Sequence, residues 1–258
     1  MGDPSGDGWF GIDELVDRGV VDGMAADLLT QEGRPDVAGS YLGSHLTGPV
    51  VARTVAAIVL DRRCPDPCPS NVAVHLHPDS WFDQLWFRTP AAAAVDGDPA
   101  GADRACVVLA DVALLRTWWA ERLVACLVPL LDAVRARLPY GRRGLWGAVA
   151  DQVAASALTV ARQAGLPCRP AWEEAAGLLE ALARHAPVAI TWPSPFEVRS
   201  PRGREAVFPV RGTCCLYYLT VDGPDPCGDG YCITCPFTDP DHRHRTLADR
   251  LDEQETGR

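Results

Sequence analysis

Apolar residues recur at mixed three- and four-residue steps over 12–31 and 37–60, through Leu15, Val16, Leu28, Leu42, Leu46 and Val50. That pattern predicts two helices. The segment Cys64-Pro-Asp-Pro-Cys-Pro-Ser70 comes next, and its prolines block regular pairing, so it reads as a loop. Val72, Val74 and Leu76 alternate with smaller or polar residues, and Trp81 to Phe87 is rich in aromatics. Together they predict two short strands joined at Pro78 and Asp79. A Gly/Ala/Asp stretch, Ala91 to Asp103, reads as a linker. Helical patterns then cover Val112 to Arg137, punctuated by Pro129, and about Leu145 to Gln163 and Ala171 to His185, with a loop over Leu138 to Gly144. From Pro187 the character changes. Val188, Ile190, Trp192, Val207 and Leu216 to Leu219 suggest short strands, and the residues after Asp239 read as a loose charged tail.

These elements place the chain in the α+β class, mostly helical with short strands, and no internal repeat is visible. The expected division is a helix-rich region over 1–204, a cysteine-bearing C-terminal subdomain over 205–240 and a polar tail over 241–258.

Composition narrows the function. The chain has 258 residues, 47% of them apolar, which is enough for one large packed core or two small ones. A net charge of -10 argues against non-specific binding to nucleic acid or to an anionic membrane, both of which attract basic surfaces. Residues Met1 to Asp13 have no cationic start followed by an apolar stretch. The apolar run Pro49 to Leu60 is short for a bilayer and contains Arg53. A soluble, cytoplasmic protein without an integral membrane span is the expectation.

Ten cysteines are many for such a chain, and five fall within 22 residues: Cys214, Cys215, Cys227, Cys232 and Cys235. In a reducing compartment clustered cysteines more often bind metal than form disulfides. Cys232-Ile-Thr-Cys235-Pro is a C-x-x-C turn, whose two intervening residues let both sulfurs reach one ion. Glycines at 223, 228 and 230 allow the tight path that brings amide N–H groups near thiolates. Four thiolates suit a 2Fe–2S cluster, two on each iron, or one tetrahedral zinc. The adjacent Cys214-Cys215 pair fits a zinc knuckle poorly, yet on ligand chemistry alone the two metals remain about equally matched. Cys106, Cys126 and Cys168 read as small apolar core residues. Cys64 and Cys68, spaced C-x-x-x-C, could bind metal or form a disulfide.

The run Arg211-Gly-Thr-Cys-Cys-Leu-Tyr-Tyr-Leu219, followed by Cys232-x-x-Cys235-Pro, resembles the C-terminal signature of FhuF-like ferric-siderophore reductases. Gly144-Leu-Trp-Gly147 and the helix around Tyr41 to Pro49 look like the same family. The resemblance implies a 2Fe–2S cluster held by Cys214, Cys215, Cys232 and Cys235. It implies one-electron reduction of a ferric-siderophore in the cytoplasm, with electrons from a ferredoxin or flavoprotein reductase. Sixteen residues separate Cys215 from Cys232, more than is usual in the family, and the insertion contains Cys227. Cys227 therefore stands as a substitute for Cys232, although the C-x-x-C spacing favours Cys232. Two competing readings use the same residues: a zinc-stabilised binding protein, and a redox-inactive protein of siderophore binding or biosynthesis.

Other residues carry weaker signals. Arg142 and Arg143, ahead of Trp146, are candidates to contact an anionic ferric chelate, against a plain solvated-loop reading. Trp118 and Trp119 read as core. His75 and His77 share one face of a strand, His45 stands elsewhere, and His242 and His244 could act as a Rieske-like pair. No G-x-S-x-G, P-loop or G-x-G-x-x-G motif occurs, so built-in nucleotide chemistry has no support.

Overall fold

The structure, a computed structural model, describes residues 4, 6–220 and 230–253. It is an α+β fold in which helices form the core and three small sheets sit around it. In chain order the elements are β1 (Trp9–Gly11), α1 (Val20–Glu32), α2 (Pro35–Asp61), β2 (Arg63–Pro65), β3 (Val72–His77), β4 (Trp81–Phe87), β5 (Ala92–Val95), β6 (Cys106–Leu109), α3 (Val112–Arg137), α4 (Arg142–Gln163), α5 (Cys168–His185), β7 (Ser194–Arg199), β8 (Glu205–Val210) and α6 (Pro240–Glu253).

Helix α2 is the axis of the core. Pro35 at its first turn has no N–H to leave unsatisfied. Its apolar residues Val37, Leu42, Leu46, Val50, Val51, Val55 and Ile58 are all buried, and the helix packs against α1, α3, α4, β2 and β4. By length and composition alone α2 could cross a membrane. In this fold its apolar side chains are instead the centre of the protein interior. Helix α3 starts where the Asp111 carboxylate accepts the Leu114 N–H at 2.8 Å, and it continues straight through Pro129 to Arg137. A buried polar contact joins the two helices. The Trp119 indole N–H donates to Thr54 Oγ1 at 3.0 Å, and that hydroxyl donates to the Val50 carbonyl at 2.9 Å. Trp119 is thus a core residue, as expected, while Trp118 packs at the core's edge. Helix α5 closes the layer with Ala171, Ala175, Leu178, Leu179 and Leu182 on one buried stripe.

Strands β1, β3 and β4 form one antiparallel sheet, and β2, β5 and β6 another in which β5 and β6 run parallel. The expected linker over 91–103 therefore holds strand β5. Its alanines have weak strand preference, but pairing on both edges by β2 and β6 supplies the order. The expected first helix begins late, at Val20, because residues 12–19 form turns that still bury Ile12 and Leu15.

The C-terminal layer is a β7–β8 hairpin packed on α4 and α5 and backed by α6. Val198, Ala206, Leu247, Ala248 and Leu251 make a small apolar cluster of their own. Two expectations change here. Ser194–Arg199 pair with Glu205–Val210, so a boundary at 205 splits a hairpin. The expected loose tail is helical from Pro240 to Glu253, held by Leu247 and Leu251 and by Ser200 Oγ donating to Asp252 at 2.7 Å. No strand forms over 188–192 among the described residues, and 217–219 is a short 3₁₀ turn.

Thr54→Val should destabilise the fold by about 1–3 kcal/mol, because it orphans a buried indole N–H. Thr54→Ser, which keeps the hydroxyl and loses one methyl, should cost about 1 kcal/mol. Urea midpoints at unchanged slope check both.

Candidate metal centre

Strand β8 delivers the Cys-Cys pair, and helix α4 receives it. Asp151 on α4, only 3% exposed, accepts the Gly212 N–H at 2.7 Å and the Thr213 N–H at 3.3 Å. The Arg211 side-chain Nε donates to the same carboxylate at 3.3 Å. Burial pushes the Asp151 pKa up to about 6, with Arg211 and the two amides pulling the other way. Two glycines make the approach possible. A Cβ on Gly147 would overlap Thr213 Oγ1, and one on Gly212 would lie 2.6 Å from the Thr191 carbonyl oxygen. The Gly144-Leu-Trp-Gly147 segment thus lies directly against the cysteine loop.

Beyond Thr213, the carbonyls of both cysteines are tied down. Tyr140 donates its hydroxyl to the Cys214 carbonyl at 3.3 Å, and Ser40 on α2 donates to that of Cys215 at 3.1 Å. Leu216 then takes left-handed backbone, φ 64°, and turns the chain away.

The C-x-x-C turn is built from the other side. The Cys235 N–H donates to the Cys232 carbonyl at 2.8 Å, and the Thr238 hydroxyl donates to that same carbonyl at 2.8 Å. Arg243, on α6 and 4% exposed, donates to the carbonyls of Ile233 at 3.0 Å, Cys235 at 2.5 Å and Thr238 at 3.0 Å. Its guanidinium also lies 5.1 Å from the Phe196 ring centre. The two halves are joined by the Arg211 N–H donating to the Thr234 carbonyl at 2.8 Å.

The thiols of Cys214, Cys215, Cys232 and Cys235 are all free, and they meet as two pairs. Cys214 Sγ and Cys235 Sγ are 3.8 Å apart, and the Cys215 and Cys232 thiols share a hydrogen bond. Among the described residues no three such side chains converge on one point. The bond from Cys232 draws the Cys215 pKa well below the usual thiol range, helped by Arg211 and the Tyr217 N–H against the effect of burial. The same bond, with burial and the Cys215 charge, holds the Cys232 proton in place. Burial raises Cys235 to about 11, while the Phe237 N–H opposes that rise. Three rings rim the site: Tyr218 and Tyr231 at 5.1 Å, then Tyr231 and Phe237 at 5.8 Å, with Phe237 65% exposed.

The other candidates lie elsewhere or are committed. Cys227 falls outside the described residues. Arg142 pairs with Asp132 at 2.8 Å, and Arg143 is exposed at the start of α4. Trp146 is 1% exposed and part of the core, so it has no face to offer a chelate. Cys126 is buried in the core, as expected, whereas Cys106 and Cys168 are only partly covered. Cys64 and Cys68 form no disulfide; Cys64 is buried and donates to the Pro65 carbonyl at 3.2 Å. His75 is bound to Asp83 at 2.7 Å, His77 stacks near Trp81, and His45 contacts the Ser80 carbonyl at 3.0 Å. His244 lies beside Phe196.

Sequence reasoning passed over Ser40, Tyr140, Asp151 and Arg243, and named Arg211 only as part of the cysteine run, without a role. One signal was available: Asp151 interrupts the apolar run Val149-Ala-Asp-Gln-Val153, where a carboxylate facing the core needs donors. No protein-family model matches this chain, and no curated protein is found similar to it.

Arg243→Met should lower stability by about 2–4 kcal/mol, since it strands three carbonyls that a charged donor now satisfies. Hydrogen exchange should show the loss concentrated in amides 232–238, with α2 and α3 protected as before.

Proposed function

We propose that the chain is a 2Fe–2S protein that reduces a ferric-siderophore by one electron. The observation that carries this reading is the pairing of the thiols. Each pair takes one cysteine from the adjacent Cys214-Cys215 and one from the C-x-x-C turn. A tetrahedral metal with sulfur about 2.3 Å away has thiolates about 3.8 Å apart along each edge, and the 3.8 Å between Cys214 and Cys235 matches it. Two pairs suit two irons, each holding two thiolates. Cys214 and Cys235 would serve one iron, and Cys215 and Cys232 the other.

The surrounding residues fit that charge. Amide N–H groups of Tyr217 and Phe237 point at Cys215 and Cys235, and the partly buried Arg211 and the buried Arg243 place cations beside the two motifs. Bound there, the cluster supplies a one-electron carrier. Siderophores hold Fe(III) through hard oxygen donors that suit Fe(II) far less. One electron, drawn from a ferredoxin or flavoprotein reductase, converts the bound Fe(III) to Fe(II) and loosens it. The exposed rings of Tyr218 and Phe237, joined through Tyr231 and close in sequence to the cysteines, offer the chelate a contact surface. The resemblance of 211–219 and 232–236 to the FhuF-like signature supports the same reading.

A zinc-stabilised protein is the second reading, favoured by the same 3.8 Å edge, which fits zinc as well as iron. Protein purified without oxygen decides between them. The expected result is a red-brown sample with bands between about 400 and 600 nm and equal iron and sulfide, lost in Cys232→Ser. That sample should then release Fe(II) from a ferric-siderophore when supplied with reduced ferredoxin, trapped by a ferrous chelator. A colourless protein with about one zinc per chain would refute the electron-transfer reading.

A further inference from the structure

We infer that Arg211 is the counter-charge of the thiolate site and makes it easier to reduce, with Asp151 acting as the opposing charge behind it. The inference rests on the 2Fe–2S reading and assigns these two residues a positioning role. The geometry is specific. The Arg211 backbone N–H is bonded to Thr234, inside the C-x-x-C turn, and its Nε to Asp151, which also holds the amides leading into Cys214. The backbone of Arg211 is thereby tied to the C-x-x-C turn and its guanidinium to the carboxylate that holds the Cys-Cys loop, with about a fifth of the side chain exposed. Its charge favours the thiolate forms of Cys215 and Cys232, one thiol from each motif.

Four thiolates, two sulfides and two ferric ions sum to two negative charges, and reduction adds a third. A fixed cation beside the sulfurs therefore favours the reduced state, and a fixed anion disfavours it. Arg243 differs in kind. Its N–H groups are spent on the carbonyls that shape the turn, so its removal changes the fold of the loop as well as the charge. Arg211 and Asp151, facing each other at 3.3 Å, give charge changes of opposite sign at one location.

The test is spectroscopic redox titration of anaerobically purified wild type, Arg211→Gln, Arg211→Lys and Asp151→Asn at pH 8, each first assayed for iron and sulfide. Arg211→Gln should lower the reduction equilibrium constant at least tenfold, 59 mV for one electron. Arg211→Lys should shift it less than half as far, and Asp151→Asn should shift it the other way. An unchanged potential in Arg211→Gln, or equal shifts in the Gln and Lys variants, overturns the inference while the 2Fe–2S reading stands. If Arg211→Gln retains no cluster, the sign of the Asp151→Asn shift decides, and a shift to lower potential or none overturns it. If wild type itself holds no iron and sulfide, the 2Fe–2S reading fails and this inference falls with it.

Discussion

The carboxylate of Asp151 is the contact on which the cysteine site depends. It sits on the buried face of a core helix, and it reaches out to the three consecutive residues that precede Cys214. A buried carboxylate without donors would be costly, so the helix and the loop need each other. The helix supplies a rigid anchor, and the loop supplies the N–H groups and the cation that make the anchor tolerable. Everything downstream inherits its position from this exchange. The Cys214 carbonyl lies within reach of Tyr140, the Cys215 carbonyl within reach of Ser40, and the Arg211 backbone within reach of Thr234.

That arrangement explains why a helical core is attached to so small a C-terminal layer. Adjacent cysteines point different ways along a chain, so their thiols meet partners only if the loop direction is dictated from outside. Here α2, α4 and the α3–α4 connection dictate it for the Cys-Cys pair, while α6 dictates it for the C-x-x-C turn through Arg243. The two halves come from opposite sides and close on each other. A metal that held both would tie the hairpin layer to the helical core, so metal binding and packing of this layer should be one cooperative event.

Much of the fold was legible in the sequence, and the misses share a cause. Long periodic segments such as Val112–Arg137 announced helices because a buried stripe repeats along them. Ala92–Val95 was unreadable, since four small residues become a strand only when neighbours pair on both edges. The helix at Pro240–Glu253 was hidden by its charge: its buried face holds three apolar residues, Leu247, Ala248 and Leu251, beside the buried Arg243, and most of the rest is polar. At the site, cysteine spacing pointed to a cluster of five, and the resemblance of its motifs singled out four of them, because such motifs are local in sequence. The residues that orient them are not local. Ser40, Tyr140 and Asp151 lie 60 residues or more from the cysteines they support, and only the fold brings them there.

The same distance argument bears on how such a site can be tuned. In metal sites generally, thiolate ligands must stay cysteine, so variation has to come from the shell around them. In this chain that shell is carried by helices whose main task is packing. Asp151 belongs to the core as much as to the site, and Arg211 is held by it. Changing the charge next to the thiols therefore means changing a largely buried pair, with consequences for stability. A protein built this way links the packing of its interior to the charge around its thiols, and neither can be altered without the other responding.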